Sequence, residues 1–202
     1  MKKNNILKFT IFSGIFVMIL GTLLHFTYEW SGNNKFIASF SAVNESTWEH
    51  LKLLFFPMLL TTIIGYFYLK KISPNFLCAR LLGILTAILF TITFFYTYTG
   101  IIGTNFSFID ISIFFAAVIL GELVSYKILL SDFKCNNYTA LFFIILLLVC
   151  FVSFTYFPPK IGLFKDPISG LYGIIEQKRT LITLALLKHC KVRVFVRVRN
   201  LL

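Results

Sequence analysis

Two histidines and three carboxylates are the residues of this 202-residue chain whose types and spacing could do chemistry. His25 closes one apolar run, Glu45 and His50 lie just before the next, and Asp110 opens a later one. Two imidazoles and a carboxylate can hold zinc while leaving a fourth position for water, as metal-assisted hydrolysis requires. We therefore predict that His25 and His50, with Glu45 or Asp110, are ligands of a divalent metal such as zinc.

Two of the carboxylates are candidate catalytic groups. Glu49 would be the general base, and Asp110 either a third ligand or a general base. Both also have structural interpretations, since Ser46 and Glu49 fit a helix capping box and Asp110 suits the first turn of a helix. If the helix began at Asn44 instead, Glu45 and Glu49 would share one face, which needs a cation or a proton between them.

The environment of the first histidine is also open to two interpretations. His25 and Glu29 are four residues apart and share a helix face, so the carboxylate could hold a ring N–H and set the tautomer. Alternatively, the two form an interfacial ion pair beside Tyr28 and Trp30, in the aromatic belt typical of a membrane boundary.

The composition shows what kind of scaffold must position these groups. Apolar residues make up 58% of the chain and charged residues 13%, and the mean hydropathy is +0.85. A soluble domain of this size could not hide so much apolar surface. The chain is therefore predicted to be an all-α, polytopic transmembrane bundle whose first partner is the lipid bilayer.

Charge-free apolar runs locate the membrane segments within a bundle that we assign to residues 1–159. Five spans are predicted, at about 9–28, 50–69, 77–98, 106–130 and 138–157. The third and fourth are separated by a turn composition around Thr99–Asn105. The first run is too long for a signal-peptide core and lacks a small-residue cleavage site, so we expect it to be retained.

The distribution of Lys and Arg predicts the orientation. On one side of the membrane we count eight, against two on the other: Lys2, Lys3, Lys8, Lys70, Lys71, Arg80, Lys127 and Lys134, against Lys35 and Lys52. The N-terminus is then cytoplasmic, and the candidate ligands lie at the extracytoplasmic face of a bacterial cell membrane. Arg80 and Glu122 lie toward the inner side, and we expect both to be interfacial.

The remaining segments suggest little chemistry. Residues 160–176 are rich in Gly and Pro and are expected to lie on the outer face, as an interfacial segment or lid. Residues 177–202 carry seven Lys or Arg and no acid, and form a basic tail without an expected function. The net charge of +11 owes much to this tail, so it indicates anionic headgroups rather than nucleic acid.

The four cysteines show no metal spacing and are expected to be ordinary apolar residues.

One stretch carries a resemblance. The string Asn44–Lys52, NESTWEHLK, together with GTLLHFTYEW before it and FTYFPPKIGLFKDPISGLYG near the end, resembles an uncharacterised family of small bacterial multi-pass membrane proteins. The resemblance covers about residues 9–176, and it implies membrane spans but no activity. The His and acid pattern is also similar to that of multi-pass lipid amidases of the alkaline ceramidase type, although their late His-x-x-x-His pair is absent here.

Three functions remain open from the sequence. The first is a metal-dependent or acid–base hydrolase of lipid or envelope substrates. The second is a small transporter or ion-binding protein, which would need polar groups through the membrane depth and which often shows repeats that this chain lacks. The third is a structural or partner-binding protein in which the outer polar groups serve only as caps and anchors.

Overall fold

A computed structural model describes residues 2–174 of the chain. It contains α1 (Lys2–Trp30), α2 (Lys35–Ala38), α3 (Thr47–Leu69), α4 (Phe76–Ile102), α5 (Ser107–Leu130), α6 (Asn137–Tyr156) and a 3₁₀ turn (Gly162–Phe164). Within the described residues, five helices are long and apolar enough to cross a membrane, namely α1, α3, α4, α5 and α6. The protein is therefore an all-α, multi-pass membrane bundle, as the hydropathy pattern predicts. The tail 177–202 and residues 175–176 lie outside the described part.

Four of these helices form a closed ring. Helix α1 packs on α3 and α5, and α4 packs on α3 and α5, while α6 packs on the outside of α4. Apolar side chains from the ring meet in its centre, for example Val17, Met58, Ile84 and Val118. Short connections join successive spans, so that neighbours run antiparallel. The end of α1 therefore lies beside the start of α3, at the end of the bundle that holds the candidate ligands.

Two glycines bring α4 and α5 into backbone contact. A Cβ atom on Gly83 would lie 2.6 Å from the carbonyl oxygen of Gly121, and one on Gly121 would lie 2.7 Å from that of Gly83. Small residues at such a crossing let two membrane helices approach closely. Since Arg80 is one turn from Gly83 and Glu122 follows Gly121, the crossing also brings these two charges together.

Arg80 and Glu122 are buried inside the bundle, so the expectation that both are interfacial is wrong. Arg80 is fully buried and Glu122 is 4% exposed, and the guanidinium Nη1 donates to both carboxylate oxygens at 2.9 and 2.8 Å. Ser13, Thr61 and Thr62 complete the hydrogen bonds of the pair. Hydropathy counts mark only the depth of a residue along its helix, whereas the rotation of α4 and α5 turns both side chains inward.

The expectation for the cysteines is wrong for two of them. Cys78, in the first turn of α4, forms a disulfide with Cys135 in the connection between α5 and α6. A separation of 57 residues carries no sequence signal, and the pairing depends on the packing of α4 against α5 and α6. Among the described residues, Cys150 is a free thiol.

The third span is longer than the turn composition suggests. Helix α4 continues through the predicted break and ends at Ile102, because Gly103 adopts a left-handed conformation (φ 84°) that caps it. The connection to α5 is correspondingly short. Asp110, in the first turn of α5, therefore lies close to Tyr98, which is four residues before the end of α4.

Candidate metal centre

The first candidate ligand, His25, is held by the close approach of α1 to α3. A Cβ atom on Gly21 would lie 2.4 Å from the carbonyl oxygen of Leu53, so only glycine allows this crossing. His25 is one turn beyond Gly21, and His50 is one turn before Leu53. The crossing therefore brings the two imidazoles together, with ring centroids 5.3 Å apart and ring planes tilted by 34°.

The second candidate ligand, Glu45, lies in the loop before α3. Asn44 fixes this loop, because its side-chain oxygen accepts from the backbone N–H of Ser46 at 2.8 Å and its amide donates to the carbonyl of Gly173 at 2.8 Å. Helix α3 begins at Thr47 with Ser46 as the N-cap, so a helix start at Asn44, which would stack Glu45 on Glu49, is excluded. The loop thus leaves Glu45 free to point at the histidines.

The ligand atoms of His25, Glu45 and His50 converge. All three lie within 4.8 Å of one another, with His25 Nε2 3.9 Å from Glu45 Oε1 and His50 Nε2 3.3 Å from Glu45 Oε2. In a tetrahedral zinc site with zinc–ligand distances of about 2.0–2.2 Å, the ligand atoms are about 3.3 Å from one another. A small movement of the three side chains toward each other would therefore bring them to zinc-binding distances. The side chains are 30%, 44% and 38% exposed, which leaves room for water at a further position.

The tautomer of His50 indicates that a positive charge belongs here. Its Nδ1 is 3.0 Å from the backbone oxygen of Ser46, which can only accept, so Nδ1 carries a proton. In the neutral ring Nε2 is then an acceptor, yet it faces the Glu45 carboxylate. Two acceptors at this distance repel unless a proton or a metal ion lies between them.

Glu45 is well suited to be the anionic ligand. The hydrogen bond from His50 holds the pKa of the Glu45 carboxyl below its ordinary value, while partial burial acts in the opposite direction. Because the pKa is lowered, the carboxylate keeps its charge as the pH falls below the range in which an ordinary glutamate titrates. A metal ligand must be deprotonated, so this environment favours cation binding.

Glu29 does not hold the His25 ring. Glu29 is exposed, and Nδ1 of His25 is buried without a hydrogen-bond partner among residues 2–174. The His25 ring is instead packed edge-on against Phe26, which stacks on Trp30 at the end of α1. Apolar packing and the helix crossing, rather than a second carboxylate, therefore orient this imidazole.

The two predicted catalytic carboxylates lie on different sides of the cluster. Asp110 accepts hydrogen bonds from the Tyr98 hydroxyl and from Asn105 at 3.0 Å, and its charge acts on His50. Glu49 is 2% exposed and is ion-paired with Lys52. Its side chain also accepts from Val43 rather than from the N-cap N–H, so the reciprocal capping box is only half formed. The general-base role stays a prediction for both, and burial argues against it for Glu49.

Two side chains that contact the candidate site residues were not recognised from the sequence. Lys52 counted only as an orientation signal although it pairs with Glu49, and Tyr98, whose hydroxyl donates to Asp110, was not among the candidate site residues. A lysine three residues after a glutamate, inside an apolar span, is the one signal that could have revealed the first pair, because it places both on one helix face.

A comparison with protein families places the sequence. A model described as a family of unknown function (DUF6512) matches residues 1–174. The chain belongs to this family. No curated protein matches the sequence, and no solved structure matches it. Membership agrees with the resemblance found from the NESTWEHLK string and brings no activity with it, so the function must be argued from the site.

Segment 160–174 folds back over the start of α3. Phe164, in the 3₁₀ turn, lies 4.7 Å from the ring of Trp48, which also stacks on Phe151 at 4.5 Å. Asp166 is buried and accepts from the backbone N–H groups of Ile168 and Ser169, which closes the following turn. The segment therefore covers the helix end beside the ligand loop.

Proposed function

We propose that His25, Glu45 and His50 hold a divalent metal, zinc by ligand type, and that the protein is a membrane hydrolase of lipid or envelope substrates. The observation that carries the proposal is the convergence of two imidazoles on one carboxylate, with Nε2 of His50 facing Glu45. Imidazole and carboxylate are ligands that suit zinc.

The geometry also supports hydrolysis as the chemistry. Three protein ligands leave a position for water, whose pKa a bound zinc lowers toward neutrality. Asp110, held by Tyr98 and Asn105 on the α4–α5 side, is the available carboxylate for accepting the proton of that water. The ligands lie at the ends of membrane spans, so a substrate with a polar group at the bilayer boundary would reach them.

The metal is tested on the purified full-length protein. We expect about one zinc per chain by mass spectrometry of the metal content, its loss in the His25→Ala/His50→Ala double variant, and weaker but measurable binding in Glu45→Ala, which keeps both imidazoles. Two controls should keep the metal: Glu29→Gln, an exposed acid beside the site, and His189→Ala, the third histidine of the sequence. A wild-type protein that takes up no zinc, or a double variant that keeps it, contradicts the metal centre.

The hydrolysis is tested separately. Detergent-solubilised protein is incubated with a total lipid extract of the host membrane, and released fatty acids or headgroups are identified by mass spectrometry. We expect release that requires zinc and that Asp110→Asn lowers by about 10²–10⁴-fold, the usual contribution of an acid–base group. Release that is unchanged in the His25→Ala/His50→Ala variant contradicts the hydrolase.

A second candidate function, a transporter or ion-binding protein, is favoured by the buried charges in the middle of the bundle. Ionisable residues at membrane depth often mark ion or proton pathways. However, Arg80 donates to Glu122, Thr61 and Thr62, and its hydrogen-bonding groups are saturated. Flux into proteoliposomes that Glu122→Gln abolishes would favour this candidate over the hydrolase.

A further inference from the structure

The loop that carries Glu45 is attached to α3 by two buried side chains. The ammonium of Lys52 donates to the carbonyl of Ala38 at 2.8 Å, and the Glu49 carboxylate accepts from the backbone N–H of Val43 at 3.1 Å. Ala38 is the last residue of α2, and Val43 lies two residues before Glu45. The two side chains thus hold both ends of the segment 38–43.

These two side chains also hold each other. Lys52 Nζ lies 2.5 Å from Glu49 Oε2, and the side chains are 0% and 3% exposed. Thr155 of α6 accepts from Lys52 at 2.9 Å and lies 3.4 Å from Glu49 Oε1. Lys52, Thr155 and Ala38 are fully buried and Glu49 is 2% exposed, so water has little access to the bonds among them, while Val43 is half-buried. The positions of the backbone atoms that they bind are therefore tied to α3 and α6.

A second attachment ties the same loop to α1. The hydroxyl of Ser41 donates to the carbonyl of Leu24 at 2.5 Å and accepts from the backbone N–H of Tyr28 at 3.0 Å. Both partners flank His25 along α1. Ser41 therefore ties the loop to α1, which carries His25, and the Glu49–Lys52 pair ties it to α3, which carries His50. Glu45 lies just after this tied segment.

We propose that Glu49 and Lys52 are positioning residues of the metal centre, which set the place of Glu45 through the loop 38–43. The inference rests on the proposed metal site and deepens it. Burying two charges is costly, and a well-packed apolar pair is often no less stable. A pair that binds two backbone groups of the ligand loop, however, fixes a geometry that an apolar pair cannot. Glu49 then acts through Glu45 and not as a general base.

The test is a double-mutant cycle on zinc affinity, measured by chelator competition on the full-length protein in detergent. Glu49→Gln and Lys52→Met are each made with Glu45 present and in a Glu45→Ala background. With Glu45 present, we expect each to weaken zinc binding by about 10–100-fold, the usual effect of disturbing a group that orients a ligand. In the Glu45→Ala background, each should weaken it by less than about threefold, because coupled residues are not additive.

A third substitution keeps the test decisive if the charge variants do not fold. Val43→Pro removes the N–H whose hydrogen bond Glu49 accepts and also fixes φ at this position, and Val43→Ala is the control that keeps the N–H. We expect Val43→Pro to weaken zinc binding only when Glu45 is present, and Val43→Ala to bind zinc as the wild type does. Far-ultraviolet circular dichroism establishes that each variant tested is helical.

The outcomes separate the two proposals. A wild-type protein without zinc ends the proposed function and this inference together. A wild-type protein that binds zinc, with variants that weaken it equally in both backgrounds, leaves the metal site standing and overturns the positioning role. Zinc affinity that is unchanged by Glu49→Gln, Lys52→Met and Val43→Pro also overturns it.

Discussion

At the scale of single residues, the described part of the bundle contains one open cluster of titratable groups and two buried ion pairs. His25, Glu45 and His50 are partly exposed and carry unfilled hydrogen-bonding capacity. Glu49 with Lys52, and Arg80 with Glu122, are buried and face each other. An open cluster can take a ligand, whereas a saturated buried pair has no free group to offer. This contrast is why we propose the metal for the open cluster and a positioning role for Glu49 with Lys52.

Breaking the deeper pair should cost stability, while replacing it whole should cost less. We expect Arg80→Met or Glu122→Gln alone to lower the free energy of unfolding by about 3–5 kcal/mol, because the partner is left buried without its counter-charge. The double variant Arg80→Met/Glu122→Leu should be more stable than either single variant. The measurement is unfolding in mixed micelles followed by circular dichroism, with the exposed Lys127→Met on the same helix as the control. Single variants that unfold like the wild type would contradict this account of the pair.

At the scale of helices, the site depends on how closely α1 approaches α3. The contact at Gly21 brings the backbones together, and both histidines lie one turn from it. Gly14, on the same helix, is not required to be glycine, since a Cβ atom there would lie 3.8 Å from its nearest neighbour, Glu122 Cγ. The two glycines of one helix therefore form a matched pair for an experiment.

Alanine at the two glycines should separate the effect of the crossing from that of helix propensity. In Gly21→Ala the new methyl group overlaps the Leu53 carbonyl and the Phe114 ring, so α1 must move away from α3. We expect a loss of about 1–3 kcal/mol in unfolding free energy and zinc binding weakened at least tenfold. Gly14→Ala should keep zinc affinity and be stabilised by up to about 1 kcal/mol, since alanine favours helix. Equal zinc affinities in the two variants would show that the crossing does not position the ligands.

At the scale of the whole molecule, burial of two basic residues changes the number of Lys and Arg on each side of the membrane but leaves the predicted orientation the same. Arg80 and Lys52 are fully buried and cannot act as flanking charges. Removing one from each side leaves seven basic residues against one. The cytoplasmic N-terminus stays a prediction. It would place the Cys78–Cys135 pair in the cytoplasm, where thiols are mostly kept reduced.

Cysteine labelling of intact cells tests this orientation. A chain with Cys135 as its sole cysteine, made by Ser substitutions at the other three, should react with a membrane-impermeant maleimide only after lysis, because the predicted orientation places the exposed α5–α6 connection in the cytoplasm. Lys160→Cys in a chain without other cysteines is the matched control from the opposite end and should react in intact cells. The reverse pattern would place the metal centre in the cytoplasm and the disulfide outside.

The sequence by itself determined the membrane class, five spans and the set of candidate ligands. These follow from the free energy of transfer from water to the bilayer, which adds up residue by residue along the chain. Apolar runs and their boundaries can therefore be identified from the sequence alone. The helix start at Ser46 was also within reach, because capping is local.

Only the tertiary structure decided which charged groups meet. The sequence left Glu49 open between a cap, a stacked partner of Glu45 and a general base, and the fold turned it to Lys52 and Val43. Arg80 and Glu122 pair because a contact between two glycines fixes the rotation of α4 against α5. Such pairings depend on helix rotation and crossing, which are set by contacts between residues far apart in the chain and leave no periodic trace in it.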